Sequence, residues 1–247
     1  MLYGVLQGAT EFLPVSSSGH LVLMNRIFGI ECDFLFFSLI LHFATLVAVV
    51  IVLRREVWSL VKHPFSRQAK FLWIATVPTV VIVLLFKGFF ENAFSGELLP
   101  VCFMLTAVLL ILTELLSKKT FKKLDGKTAF LIGIAQGVAV LPGISRSGAT
   151  IACGCLCGLD KKASSRFSFL LSIPIILASM GYEILESVAS GATVLGVSLE
   201  LTFVAFAFAL LVGVLCVKFM LEKLQKIRLY YFSAYLVLLA GLSFCVL

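Results

Sequence analysis

Charged side chains are scarce in this 247-residue chain: Asp, Glu, Lys and Arg make up 13% of it, and the acids number only 13. A soluble domain carries about 25% charged residues, so an ordinary water-facing surface is excluded. The sequence also lacks the marks of a secretory leader. No basic segment precedes the first apolar run and no small-residue cleavage site follows it, so no signal peptide is expected. What is present instead is apolar surface: 61% of the residues are hydrophobic, with 23 Phe among them. This composition belongs to a polytopic membrane protein. A helix needs roughly 20 apolar residues to cross the hydrocarbon core. Six stretches qualify, near 35–53, 71–90, 98–116, 166–186, 199–221 and 229–247.

Two regions break the apolar pattern, and they repeat each other. Gly4-Val-Leu-Gln7-Gly8-Ala-Thr-Glu11-Phe-Leu13-Pro14-Val-Ser16-Ser17-Ser18-Gly19 is echoed by Gly133-Ile-Ala-Gln136-Gly137-Val-Ala-Val-Leu141-Pro142-Gly143-Ile-Ser145-Arg146-Ser147-Gly148. Both are sixteen residues long and read G-x-x-Q-G, Leu-Pro and S-x-S-G, the Leu-Pro pair slipping by one position. Stretches rich in Gly, Pro and Ser make poor membrane helices. Regions 1–24 and 128–158 are therefore expected to be re-entrant helical hairpins. Non-helical backbone at membrane depth is tolerated only inside protein or beside a water-filled cavity.

Charge gives the orientation. With two hairpins and six crossings, the loops near 54–70, 117–128, 158–166 and 222–228 share one face. That face holds 17 of the 20 Lys and Arg, among them Arg54, Arg55, Lys62, Lys118, Lys119, Lys161 and Arg228. Arg26 and Lys87 fall opposite, and Arg146 lies inside a motif. Basic loops stay cytoplasmic, so the net charge of +7 is a topology signal and not a nucleic-acid footprint. The expected architecture is an all-α polytopic membrane protein, a single domain over 1–247. Each half, 1–127 and 128–247, is a re-entrant hairpin plus three transmembrane helices. Three is odd, so the halves form an inverted repeat. Such repeats put their site near the midplane, where the tips Ser16–His20 and Ser145–Gly148 should face each other.

The tips are rich in groups that bind anions. Each S-x-S-G precedes an apolar run and so should open a half-helix, whose free N–H groups and positive dipole end attract anions. Ser16, Ser18, Ser145, Ser147 and Gly148 would add hydroxyl and backbone donors, and the planar fork of Arg146 suits phosphate. Glu11 and His20 bring acid–base or metal-binding capacity. Gln7 and Glu11 are four residues apart, on one face of a helix. Together these residues describe a phosphate or pyrophosphate site reached from lipid. The rival reading is a transporter of ions or lipid phosphates using the same anion site. Release of phosphate without any gradient separates the two.

The motifs carry a family resemblance. Glu11-Phe-Leu-Pro-Val-Ser-Ser-Ser-Gly-His20 and Leu141-Pro-Gly-Ile-Ser-Arg-Ser-Gly-Ala-Thr150 closely resemble the two signatures of the bacterial undecaprenyl-diphosphate phosphatase, or bacitracin-resistance, family. Ser165–Pro174 and Leu41–Thr45 look like further family segments, so the resemblance spans the chain. It implies hydrolysis of undecaprenyl diphosphate to undecaprenyl phosphate and inorganic phosphate, recycling a lipid carrier for cell-wall polymers. It also implies a divalent cation, Mg²⁺ or Ca²⁺, and a multi-pass protein of the cytoplasmic (inner) membrane with its site open to the outer, periplasmic face. By position, the family's (E/Q)-x-x-x-E motif falls on Gln7 and Glu11, which makes these two the expected metal ligands. Its serine and histidine fall on Ser17 and His20, and its arginine on Arg146. Gln7 stands where many members have Glu, which shifts the metal or base role toward Glu11. The nucleophile is either Ser17, with His20 or Glu11 taking its proton, or a water activated by Glu11 and the metal. The implied partners are undecaprenyl diphosphate, related prenyl diphosphates and membrane lipid. A homodimer is left open.

Other polar residues read as structural. His42, on an apolar run, is expected to be a hydrogen-bonded core histidine. Cys153, Cys155 and Cys157 resemble a metal spacing only superficially, and the seven cysteines read as small packing residues. Glu114, one turn before Lys118, should snorkel or pair there, while Glu183 and Glu186 should be solvated.

Overall fold

Polarity runs inside out. Leu115, Phe203, Leu238 and Phe244 are each more than 70% exposed, while Gln7, Glu11, Thr45, Thr106, Thr113 and Gln136 are buried. A molecule with apolar side chains outside and hydroxyls and amides within is built for a lipid solvent.

The computed structural model describes residues 1–29, 34–117, 122–190 and 199–246. Lys118, Lys119, Cys32 and the side chain of Glu186 lie outside the described residues. Within them the chain is all-helical, with twelve helices: α1 (Leu2–Thr10), α2 (Ser17–Phe28), α3 (Phe34–Val52), α4 (Arg54–Lys62), α5 (Arg67–Leu85), α6 (Lys87–Ala93), α7 (Leu99–Leu116), α8 (Gly126–Val138), α9 (Arg146–Leu156), α10 (Lys161–Ser190), α11 (Leu199–Lys223) and α12 (Tyr230–Val246). Among the described residues, α5, α7, Lys161–Leu185 of α10 and α11 are long and apolar enough to cross a membrane. The pair α3 and α4 makes a fifth if counted as one bent unit, and α12 is apolar but only 17 residues long.

Two boundaries differ from the sequence reading. The stretch 71–90 is not one helix: α5 ends at Leu85, and α6 begins at Lys87 after a bend at Phe86. Lys87-Gly88 places a charge and a flexible residue where the apolar run stops. The stretch 54–70, expected as a loop, contains α4, whose axis lies 87° from that of the Phe37–Val52 segment.

Each repeated motif is a helix, a break and a second helix. In the first, α1 ends after Thr10, Pro14 lies in the break, and Ser16 takes a left-handed φ of 69° before α2. In the second, α8 starts on the side-chain cap of Asp125, which accepts from Thr128 N–H at 2.8 Å. Its break holds Pro142 and Gly143, and Gly143 has φ 91°. A Cβ there would lie 2.6 Å from Cys102 Cβ. Glycine is thus required both for the turn and for the close approach of α7. The first arm of each motif packs on a long helix of the opposite half, α1 on α11 and α8 on α5. α7 packs on α12.

The basic loops converge on one end. Lys122 N–H donates to the Gly158 carbonyl (2.9 Å), and Arg166 Nη1 lies 3.4 Å from Glu56. Lys161 Nζ reaches both Glu114 (2.8 Å) and the Ile227 carbonyl (3.0 Å). Glu114 pairs with Lys161 and also accepts from Leu229 N–H, while its expected partner Lys118 lies outside the described residues. On the α2–α6 side, Arg26 Nη2 donates to the Ser95 carbonyl at 2.6 Å.

Candidate active site

The two breaks meet and brace each other through their backbones. Ser16 Oγ caps α2 by accepting from Gly19 N–H (3.3 Å), and it also accepts from Gly143 N–H of the other motif (3.1 Å). Ser145 Oγ caps α9 by accepting from Gly148 N–H at 3.0 Å. Ser147 Oγ donates to the Leu13 carbonyl at 2.9 Å. Thr106 of α7 underpins the second break, donating to the Gly143 carbonyl (3.0 Å) and accepting from Ser145 N–H (3.2 Å). Each tip thus meets the break of the other motif, Ser16 at Gly143 and Ser147 at Leu13. Ser16, Ser145, Ser147 and the Gly148 amide already have partners in this bracing, whereas Ser17, Ser18 and Arg146 are only half-buried.

Glu11 is the centre of the site. Its side chain is 2% exposed, and its carboxylate draws donors from three places. Gln7 Nε2 donates to Oε2 at 3.0 Å from one turn back on the same arm. Ser17 Oγ donates to the same oxygen at 2.5 Å from across the break. Arg146 Nη2 donates to Oε1 from the other half of the chain. A buried carboxylate alone would be expensive, and an arginine within the membrane equally so; joined, they form a neutral pair. Two buried atoms here have no protein partner: Arg146 Nη1 and Gln7 Oε1. Buried polar atoms are nearly always bonded, so both are available to a ligand; Gln136 Oε1 in the second motif is likewise without a protein partner.

His42, read as a hydrogen-bonded histidine of an apolar run, keeps that bond and also lies beside this group. Its Nδ1 is 2.8 Å from the Ser38 carbonyl, which can only accept, so Nδ1 carries the hydrogen. Its Nε2 lies 3.8 Å from Glu11 Oε2, too far for a hydrogen bond. An ionisable residue within a membrane segment is a functional signal in itself, and that signal was available in the sequence.

His20 faces away from Glu11. Its Nδ1 is 2.6 Å from the Ser16 carbonyl, and its Nε2 is 2.8 Å from the Tyr235 hydroxyl of α12. The Tyr235 ring stacks on the imidazole with centroids 5.7 Å apart. With a hydrogen on Nδ1, the Nε2 lone pair accepts from Tyr235, and the imidazole clamps the left-handed turn at Ser16. Nothing in the motif spacing points to Tyr235, because its contact depends on how α12 packs against α2.

The fit of a divalent cation rests on oxygen donors. Among the described residues, no three His, Cys, Asp or Glu side chains converge into a metal cage. Glu11 and the unpartnered Gln7 Oε1 offer two oxygens. Mg²⁺ keeps several waters and is held by one or two carboxylates with substrate phosphate; Glu11 is one such carboxylate, and Gln7 adds a neutral amide oxygen. The residues fit such an ion.

Comparison with known proteins agrees along the full length. The family described as "Bacitracin resistance protein BacA" matches residues 1–242. A protein of Carboxydothermus hydrogenoformans named undecaprenyl-diphosphatase is 43% identical, with 100% of this chain and 95% of that protein covered. Proteins of the same name from Halothermothrix orenii (38% identical, 97% and 96% covered) and Methanococcus vannielii (34%, 95% and 94%) are also similar. A match over nearly all residues, carried by relatives of nearly the same length, means that this chain belongs to the bacitracin resistance protein BacA family.

Proposed function

We propose that this chain hydrolyses undecaprenyl diphosphate to undecaprenyl phosphate and inorganic phosphate, and that Ser17, Glu11 and Arg146 carry the reaction. The observation that carries this reading is the sharing of one buried carboxylate by a half-exposed serine hydroxyl and an arginine with a free nitrogen. Arg146 Nη1 holds the terminal phosphoryl group, with Ser18 and the first-turn amides of α2 and α9 around it. Ser17 Oγ attacks the terminal phosphorus while its proton passes to Glu11. The bond from that phosphorus to the bridging oxygen breaks. Undecaprenyl phosphate leaves with the electron pair and takes the proton from Glu11. A water then attacks the phosphoserine and gives its proton to Glu11, which returns it to Ser17 as phosphate departs. Glu11 acts as the base here, since His20 has both nitrogens engaged elsewhere. Gln7 and Glu11 would hold Mg²⁺ or Ca²⁺; when bound, the ion supplies neutralisation of the diphosphate charge.

The architecture behind this reading is an inverted repeat of two re-entrant hairpins and six crossings. Its support is that contacts occur in exchanged pairs: α1 on α11 matches α8 on α5, and α7 on α12 matches itself. A methyl on Gly4 would collide with the Ala205 carbonyl, and one on Gly133 with the Ala75 carbonyl. The equivalence also sets Ser17 opposite Arg146 in the S-x-S-G pattern, nucleophile in one half and phosphate ligand in the other. The basic end faces the cytoplasm of a bacterial cell by charge, and the site opens outward. One chain supplies both motifs, so the site is complete without a homodimer.

The test is phosphate release from a prenyl diphosphate by purified protein in detergent, where no gradient exists. Arg146→Ala should lower turnover by about 10²–10³-fold, and Ser17→Ala should abolish the phosphoserine that denaturing quench traps in the wild type. Normal turnover in Arg146→Ala would overturn the site. Normal turnover in Ser17→Ala would replace the covalent route with direct attack by water. No release from folded wild type would turn the reading to a lipid-phosphate carrier.

A further inference from the structure

α4 takes no part in the site, yet its faces are sharply divided. Val57 and Leu60 pack on the core, and Glu56 turns inward to lie 3.4 Å from Arg166 Nη1. On the other side Arg54, Trp58 and Lys62, spaced by four, run as one stripe. Arg55 and Val61 flank it, and all five are exposed. Lys62 Nζ stands 5.2 Å from the centre of the Trp58 ring. Just past the helix, Phe65 is 83% exposed.

We propose that the outer face of α4 binds the headgroups of anionic phospholipids in the leaflet at the basic end of the molecule. Three observations favour this occupant. The helix axis stands 87° from that of the apolar α3 segment, so if α3 spans the membrane, α4 runs in the plane of the leaflet. Its exposed face alternates aromatic with cationic side chains, the composition of interfacial helices: rings seat at the acyl boundary and long cationic stems reach the phosphates. And the charge is unopposed, because Glu56, the sole acid between 53 and 71, is committed to Arg166. A face turned to water alone would not expose Trp58 and Phe65 together.

Trp58 supplies the probe. The chain has 2 Trp, so Trp73→Phe leaves Trp58 as the only one. The protein is reconstituted in vesicles of phosphatidylcholine and phosphatidylglycerol, with bromine on the acyl chains of one lipid or the other. Stronger quenching by brominated phosphatidylglycerol is expected. The preference should fall about fivefold for each cation removed in Arg54→Gln, Arg55→Gln and Lys62→Gln, with phosphate release in detergent unchanged. Should the triple variant insert poorly, added salt must erode the preference in the Trp73→Phe protein. Equal quenching by both lipids would overturn headgroup selection. Quenching by aqueous iodide alone would mean that α4 stands off the membrane, and would assign its face to a soluble acidic partner.

Discussion

Glu11 and Arg146 come from opposite halves of the chain, and neither is stable where it sits without the other. Removing one partner of a buried pair costs about 3–5 kcal/mol, because the survivor is left as an uncompensated charge. Glu11→Ala and Arg146→Ala should therefore each lower stability by that order, and the double variant should cost clearly less than their sum. Unfolding of the four proteins in detergent measures this coupling; strict additivity would mean that the contact does no structural work. His20 offers a second case. In Tyr235→Phe the ring remains stacked, but buried Nε2 loses its donor, which costs about 1–3 kcal/mol. An unfolding midpoint equal to the wild type would remove that bond from the account of the Ser16 turn. At this scale the sequence revealed the groups whose meaning is local: the Gln7–Glu11 spacing, the serines that open each half-helix, and an arginine too costly to be idle in a membrane. It left out how distant helices deliver their partners: His42 of α3 carried a signal as an ionisable membrane residue but no sign of where it would land, and Tyr235 of α12 carried none. Their proximity is a property of packing and has no trace in spacing.

Helix contacts depend on small residues where backbones come closest. A Cβ on Gly133 would strike the carbonyl of Ala75, backbone that cannot move aside without shifting α5. Gly133→Ala should cost about 1–3 kcal/mol as overpacking. Gly241 in α12 meets nothing within 4 Å, so Gly241→Ala should be neutral or stabilising through helix propensity. Thermal unfolding of the two variants separates the effects, and equal loss in both would deny the close approach of α8 and α5. The apolar runs made most helices legible, since a span must be both long and greasy. Two elements escaped because hydropathy averages over a window. The charge and glycine at Lys87-Gly88 end α5 early, and the nine residues of α4 are too short and too basic to register as anything but loop.

For the molecule as a whole, charge and connectivity have to agree. Residues of α4, the end of α7, the 122–125 segment, the start of α10 and the α11–α12 turn are far apart in sequence, yet they touch through Arg166 and Glu56, Lys122 and Gly158, and Lys161 with Glu114 and Ile227. The proposed arrangement, with an odd number of crossings per half, requires such convergence. Arg26 and Ser95 mark the other side. The two sides can be told apart in intact cells with a membrane-impermeant maleimide, after the native cysteines are replaced by alanine or serine. Ser95→Cys, at an exposed position whose contact to Arg26 runs through its backbone carbonyl, should label from outside. Lys226→Cys, exposed between α11 and α12, should label only once the membrane is opened. The reverse pattern would invert the molecule and turn the site toward the cytoplasm. Labelling of both from outside would break the six-crossing arrangement, since the three proposed crossings between them, α7, α10 and α11, could then not all pass through the bilayer. The expected pattern would leave Ser17, Glu11 and Arg146 in a cleft reached from the outer leaflet, where a diphosphate lipid can present its terminal phosphate without its tail leaving the membrane.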